Sequence, residues 1–294
     1  MKKLFFTTVV LLAAIVAQAQ TKIAPKLEKG YKVTYVEETT TNAGGEQSTL
    51  TTETLYAVTD VNADGATVEI TLTKASEAAD DAMGQLQALS TSLVKGITIR
   101  VATNADGEVQ KILNADEVAA KVKSAADVAI GNLLKENPDL AAAMPKDKLV
   151  EQITTKLNEK ALLTSLKNSF DVMSLNGKSI LNGGQEKFTN EEGMNMKCMY
   201  FVAGGKVICS ASLNMTKDEL KALIIQQVEA EMPEQAEIIK QNIDMVMAQM
   251  TFEQTTKATY DFQENGWVKS IKRETKTDMM GQQMQVNAKV TIKQ

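Results

Sequence analysis

Two patterns of apolar residues divide the chain into three parts. Near both ends, apolar and polar residues alternate in short runs, at 31–41, 50–61, 66–73, 97–103 and 109–113 and again at 251–262, 267–277 and 283–293. Turns in which Asn or Asp precedes Gly separate several of these runs, at 62–65, 104–107 and 264–266. Period-two alternation interrupted by such turns predicts antiparallel strands joined as a meander.

The middle of the chain repeats its apolar residues at helical spacing instead. Asn114 with Glu117, and Thr216 with Glu219, have the spacing of a capping box at the start of a helix. Helices are predicted at 80–94, from 114 to the break at Asn137-Pro138, at about 146–168, and at 216–250 with a break at Met232-Pro233.

The order of these elements is strands, helices, one hairpin, helices and strands. Such segregation predicts the α+β class, with a curved antiparallel sheet (a meander or half-barrel) and helices packed on one face. We expect a single domain over 20–294, with helical insertions at about 114–169 and 216–250.

Residues 1–19 are a predicted secretory signal peptide. Lys2 and Lys3 precede an apolar run at 4–16, and small residues then predict cleavage between Ala19 and Gln20. That run is shorter than the roughly 20 residues a membrane span takes. We therefore expect an exported bacterial protein, periplasmic, associated with the outer envelope or secreted, with no transmembrane segment in the mature chain.

Charge and missing residue types exclude several functions. Loss of Lys2 and Lys3 changes the formal net charge from −5 to −7, which disfavours nucleic acid as a partner because phosphate binding needs clustered Lys and Arg. The sequence has no histidine, the usual catalytic base and metal ligand. It also has no Gly-rich phosphate loop, GxSxG elbow or EF-hand spacing. We expect no enzyme activity, no cofactor and no catalytic or metal-binding residues.

The segment 194–215, MNMKCMYFVAGGKVICSASLNM, contains both cysteines. One interpretation is a Cu(I) site. In a strand, Met194, Met196 and Cys198 share one face, and Met199 points away from it. A second is a redox pair of Cys198 and Cys209, although the two do not form a CxxC motif. A third is a structural disulfide, the usual state of two cysteines in an exported protein.

The loop between the two predicted strands decides how the cysteines meet. With Ala203-Gly204 as the loop, Cys198 faces Cys209 at the Cβ separation of about 4 Å that a disulfide needs. With Gly204-Gly205 as the loop, Cys209 faces Tyr200, and Cys198 lies one diagonal step away on the same face. We predict the disulfide and assign the methionines to the core.

Three segments carry a resemblance to known proteins: the strand entry Lys29-Gly-Tyr-Lys-Val-Thr34, the hairpin Asn104-Ala-Asp-Gly-Glu-Val-Gln-Lys-Ile112 and the hairpin Glu264-Asn-Gly-Trp-Val-Lys-Ser-Ile271. With the Ala/Leu-rich helical middle between them, the chain resembles uncharacterised exported proteins of Bacteroidetes. More distantly, it is similar to the half-barrel architecture of LolA/LolB-type lipoprotein carriers. The resemblance implies a curved sheet around an apolar cavity, and a hydrophobic ligand, but carries over no catalytic residue.

The leading hypothesis is a non-enzymatic exported envelope protein that binds a lipid or another apolar ligand. The alternative is a structural or protein-interaction module of the cell envelope, whose partner the sequence does not identify. A third interpretation is copper buffering through Met and Cys. A large apolar cavity between sheet and helices would favour the first function, and a filled core with an exposed apolar edge the second.

Overall fold

The computed structural model describes residues 20–76, 89, 91–136, 146–147, 150, 158–190, 192–231 and 233–294. The predicted signal peptide with Ala19, most of the helix predicted at 80–94 and part of that at 146–168 lie outside these residues.

The strands are β1 Thr21–Lys22, β2 Lys32–Ala43, β3 Glu46–Asn62, β4 Gly65–Ala75, β5 Thr98–Asn104, β6 Val109–Ile112, β7 Ser179–Ile180, β8 Gln185–Thr189, β9 Asn195–Ala203, β10 Lys206–Leu213, β11 Phe252–Phe262, β12 Val268–Met279 and β13 Gln282–Ile292. The helices are α1 Ala115–Glu136, α2 Glu159–Asn168, α3 Lys217–Glu231 and α4 Pro233–Gln249.

Eleven strands form one curved, open antiparallel sheet in the order β6-β5-β4-β3-β2-β13-β12-β11-β10-β9-β8. An N-terminal meander and a C-terminal meander meet at its centre, where β2 pairs with β13. Strands β1 and β7 pair separately. The predicted α+β class with a curved antiparallel sheet is confirmed. Within the described residues, no helix is both long enough and apolar enough to cross a membrane.

The two faces of the sheet differ in polarity. In β11, Thr256, Ala258 and Tyr260 are buried, whereas the intervening Thr255 and Lys257 are exposed. Successive side chains of a strand point to opposite faces, so this alternation distinguishes an inner face that carries the core from an outer face in water.

Helix α2 bridges the two edges of the sheet, because it contacts β6 at one edge and β8 at the other. Lys167 Nζ lies 3.0 Å from Glu108 Oε1, next to β6. Asn168 Nδ2 donates a 2.7 Å hydrogen bond to the carbonyl oxygen of Thr189 in β8. A side chain thus satisfies an edge carbonyl that would otherwise be available to another strand.

The second helical block has the predicted ends. Glu219 N donates to Thr216 Oγ1 at 3.2 Å, and Thr216 N donates to Glu219 Oε2 at 2.7 Å, which is the predicted capping box. A new helix, α4, begins at Pro233, where a proline is tolerated because the first amide of a helix has no intrahelical partner.

The first helical block begins where it was predicted, at Ala115, but one of its predicted helices is interrupted. The Asn114 side chain accepts from Arg100 N at 2.8 Å and donates to the Thr98 carbonyl at 2.9 Å, so it ties the start of α1 to β5. The helix predicted at 146–168 is not continuous, because Asn158 is extended (φ −110°, ψ 167°) and caps the start of α2 by accepting from Ala161 N.

Candidate functional site

At one end of the inner face, the half-barrel is filled by residues 169–178, which we call the plug. Val172 and Leu175 of the plug are buried in the main hydrophobic core. Ser174 Oγ lies 3.0 Å from the Tyr260 hydroxyl. A cavity of about 10 Å³ remains beside the plug, which leaves room for about one water molecule. This part of the interior is core and leaves no room for a ligand.

Two large aromatic side chains complete the filled end, and both have partners for their polar atoms. Trp267 Nε1 donates to the carbonyl oxygen of Lys26 at 2.9 Å. The Tyr35 hydroxyl donates to the carbonyl oxygen of Val268 at 2.7 Å, and burial raises the pKa of Tyr35. Buried Trp and Tyr side chains are stabilising only when such partners exist.

Arg273 connects the plug to the sheet. Its Nη1 donates to the Ser169 carbonyl at 2.8 Å and its Nη2 to Glu37 Oε1 at 3.0 Å. Thr39 Oγ1 donates to the same carboxylate oxygen at 3.3 Å. Burial raises the pKa of Glu37 and nearby Asp171 adds to this effect, while Arg273 and Thr39 oppose it. This partly buried ion pair holds one end of the plug in place.

The predicted disulfide is not formed. Strands β9 and β10 place Cys209 opposite Tyr200 and Cys198 opposite Ala211, so the loop is Gly204-Gly205. The register in which the cysteines face each other was therefore wrong, and the alternative register is the one observed. Both cysteines are buried free thiols. The two thiols interact with each other across this diagonal, without the bond that the sequence predicted.

The sulfur atoms of this segment belong to the core. Met194, Met196 and Cys198 are buried in the main hydrophobic cluster, whereas Met199 is half-buried, as expected for a strand with one face in the core. The hydrogen bond between the two thiols raises the pKa of Cys209, and burial raises it further. The same hydrogen bond lowers the pKa of Cys198, although burial acts in the opposite direction. Both side chains are fully buried, whereas reactive cysteines are partly exposed, so this environment does not favour a redox pair.

A second ion pair lies beside the cysteines. Lys178 Nζ is 2.8 Å from Glu186 Oε2, and the Tyr200 hydroxyl donates to the same oxygen at 2.5 Å. Burial by itself would raise the pKa of Glu186, but the hydrogen bonds from Lys178 and Tyr200 and the charge of the lysine outweigh it, so this pKa is lowered. The three groups satisfy one another, as a structural ion pair requires.

An apolar groove of about 220 Å³ lies between the α3–α4 pair and the ends of β10 and β11; we call it the helix groove. The capping box at Thr216 starts α3 directly after β10, and Phe252 starts β11 soon after α4 ends. These short connections hold the helix pair over the ends of both strands. The apolar lining consists of Leu213, Met215, Leu220, Met247, Met250 and Phe252.

The hairpin between β12 and β13 continues this apolar surface. Its methionine tip consists of Met279, Met280 and Met284, which are 45%, 54% and 39% exposed. Met279 lies directly opposite Phe252 in the sheet, and Met280 N donates to the Thr251 carbonyl at 2.9 Å. The groove and the tip are therefore neighbours.

Two hollows on the outer side of the sheet are larger, at about 450 and 410 Å³. They are lined mainly by Lys, Glu, Thr, Asn and Gln side chains, including Lys272 and Lys289 in the first and Lys276 and Asp278 in the second. Such surfaces hold water well and give an apolar ligand little to contact.

Sequence reasoning did not single out the groove residues as a site. Leu220 and Met250 lie within the helix predicted at 216–250, and Met279 lies between the strands predicted at 267–277 and 283–293. A usable signal was the density of methionines at 245–250 and 279–284, because this flexible side chain is common on adaptable binding surfaces.

Comparison with known proteins adds little to this description. No protein-family model matches the chain, and no curated protein is significantly similar to it. Among solved structures, one of lipid–protein interactions in lipovitellin is similar with a TM-score of 0.40 and 9% sequence identity, over 92% of this chain and 26% of that chain. This chain thus spans about a quarter of the other's length. Similarity this low establishes neither a shared family nor corresponding residues.

Proposed function

We propose that this protein is a non-catalytic, exported protein of the bacterial cell envelope that holds a lipid or another apolar ligand in the helix groove. The observation that carries the proposal is the continuity of an apolar groove of about 220 Å³ with two exposed methionines, Met279 and Met280. Covering apolar surface contributes about 25 cal/mol per Å². Unbranched thioether side chains also adapt to occupants of different shape.

Two features of the sequence support the export and the lack of catalysis. The N-terminal pattern ends at Ala19, and no histidine is present. Sequencing of the protein isolated from the envelope of its own cells should find Gln20 as the first residue. A mature chain that begins at Met1 would contradict export by cleavage.

Binding of the uncharged fluorescent probe N-phenylnaphthylamine tests the ligand site. We expect the wild-type protein to bind it, and Met250→Trp to bind it about tenfold more weakly, because the larger ring fills the groove. Met199→Trp is the matched control, because Met199 is half-buried on the outer face of β9. A wild-type protein that does not bind the probe, or a Met250→Trp variant that binds as well as wild type, would argue against the proposal.

A second candidate, a protein-interaction module, is favoured by the filled interior beside the plug and by one face of α4. Ile238 and Met245 lie two helical turns apart and are 64% and 68% exposed. If this face docks a partner protein, replacing both residues with Gln, which leaves the net charge of the protein unchanged, should change the migration of the protein in native gels of envelope extracts and leave probe binding unchanged. Unchanged migration would argue against this candidate.

A further inference from the structure

We infer that the ligand of the helix groove is a single-chain amphiphile with an anionic head group, and that Lys217 contacts that head group. The inference rests on the proposed function of the groove and names the chemical class of its ligand. It has three parts: the position of the lysine, the size of the groove and the placement of the nearby carboxylate.

Lys217 is the first residue of α3 and lines the helix groove. Its Nζ donates a 3.4 Å hydrogen bond to the carbonyl oxygen of Met247 in the last turn of α4. An ammonium group has three donors, so this long bond leaves capacity for an anion. Among the described residues, Lys217 has no carboxylate within ion-pair distance.

The size of the groove favours one chain. About 220 Å³ is below the range of roughly 300–1,000 Å³ that is usual for pockets enclosing drug-sized ligands. A lipid with two chains would therefore not fit within it. A single alkyl chain can place one part in the groove and continue across Met279 and Met280, which lie beside Phe252 and Thr251 of the groove lining.

Glu253 also lines the groove. Because a carboxylate attracts a cation, a cationic head group must be compared with an anionic one. This residue alternates with Phe252 along β11 and lies opposite Asp278 in the sheet, so its carboxylate is next to another carboxylate on the outer face. Lys217, in contrast, reaches across the groove from α3 to α4. The geometry therefore favours an anionic head group, and a cationic chain of equal length is the informative comparison.

Decanoate, decanol and decylamine have the same chain and differ in the charge of the head group. We expect the wild-type protein to bind decanoate about tenfold more tightly than decanol at neutral pH, as one charge-assisted hydrogen bond allows, and decylamine more weakly than either. Lys217→Met should abolish the preference for decanoate without weakening decanol, and Lys217→Arg should keep most of it. Lys257→Met, on the outer face of β11, should behave as wild type.

The outcomes separate the two proposals. Equal affinity for decanoate and decanol in the wild-type protein, tighter binding of decylamine, or a preference that persists in Lys217→Met would overturn this inference and leave the groove as an apolar site. Failure of all three compounds to bind would contradict the proposed function as well. Thermal melting of each variant checks that the bond from Lys217 to α4 is not needed for folding.

Discussion

The plug and the helix groove lie against the same sheet but are built from different side chains. At the plug, Trp267, Tyr35 and Tyr260 fill the space, and their polar atoms have hydrogen-bond partners. At the groove, the chain uses Met, Leu and Phe and leaves about 220 Å³ open. Rigid aromatic side chains with satisfied polar atoms suit a permanent core, whereas flexible thioethers suit a changing occupant. The comparison indicates which end of the half-barrel supports the fold, and it is the basis for proposing the other end as the binding site.

The largest expected effect is a loss of stability, caused by a substitution at the filled end that should leave binding unchanged. Trp267→Ala should lower the free energy of unfolding by about 3–5 kcal/mol, because it leaves a cavity in a packed core, and it also removes the bond to Lys26. Chemical denaturation measures this loss, and Trp267→Phe should cost less. Probe affinity of the folded variant should equal that of wild type; a large loss of affinity would mean that the two ends are not independent.

A smaller effect is expected from releasing the plug. Arg273→Met should cost about 2 kcal/mol, because it removes bonds to both Ser169 and Glu37 and leaves a partly buried carboxylate without its cation. Hydrogen exchange should become faster at the plug amides of Asn176 and Gly177. Arg273→Lys keeps the charge and should lose less. Unchanged exchange in Arg273→Met would show that the ion pair does not hold the plug.

The pH dependence of stability should differ in sign between two carboxylates of the inner face. The pKa of Glu37 is raised above 4.5 in the folded protein, so the folded state binds this proton more tightly than the unfolded state does. Wild-type stability relative to Glu37→Gln should therefore increase as the pH falls through the raised pKa toward 4.5.

Glu186 supplies the matched control, because its pKa is lowered in the folded protein. Its contribution to stability is present above the unfolded value of 4.5 and is lost as the pH falls through the lowered folded pKa. Thermal melting of wild type, Glu37→Gln and Glu186→Gln across this range measures both trends. The same direction of change for both variants would contradict the assigned environments.

The smallest effect on stability is expected from oxidation of the exposed methionines. Mild peroxide should oxidise Met279 and Met280 well before Met194 and Met196, because the first two are 45% and 54% exposed and the second two 8% and 2%. Peptide mass mapping measures the order, and the melting temperature should change little after the exposed methionines react. Early oxidation of Met196 would show that this core opens more readily than the structure indicates.

Alkylation of the two cysteines also tests how accessible the buried sulfur atoms are. Since Cys198 and Cys209 are buried free thiols, neither should react with an alkylating reagent until the protein is unfolded, and then both should react without a reductant. An intact mass lower by two hydrogens, with no alkylation after unfolding, would establish the disulfide that the sequence predicted.

Local chemistry explains what the sequence predicted correctly. Turns with Asn-Gly or Asp-Gly and alternation are properties of neighbouring residues, so the meanders could be recognised without their pairing partners. The Thr216 capping box and the start of a helix at Pro233 are equally local. The α+β class followed from the order of these elements, and the structure confirms it.

Features that depend on distant contacts could not be predicted. Ala203-Gly204-Gly205 allows two loop alignments of similar local cost, so the register of β9 and β10 depends on packing. The plug shows neither helical nor alternating periodicity, and its burial of Val172 and Leu175 arises from the sheet around it. The helix groove depends on how α3 and α4 fold back over the ends of β10 and β11. No pattern of neighbouring residues fixes that arrangement, so its lining looked like an ordinary apolar stripe.

The central claim is that the helix groove, and not the plugged interior, holds an apolar chain. Photo-crosslinking of the full-length mature protein with a diazirine-bearing decanoate, followed by peptide mapping, tests it most directly. We expect adducts on Met215, Met250, Phe252 and Met279, with decanoate competing for the labelling. Adducts on Leu175 or Tyr260 beside the plug, or labelling that decanoate does not reduce, would contradict the claim.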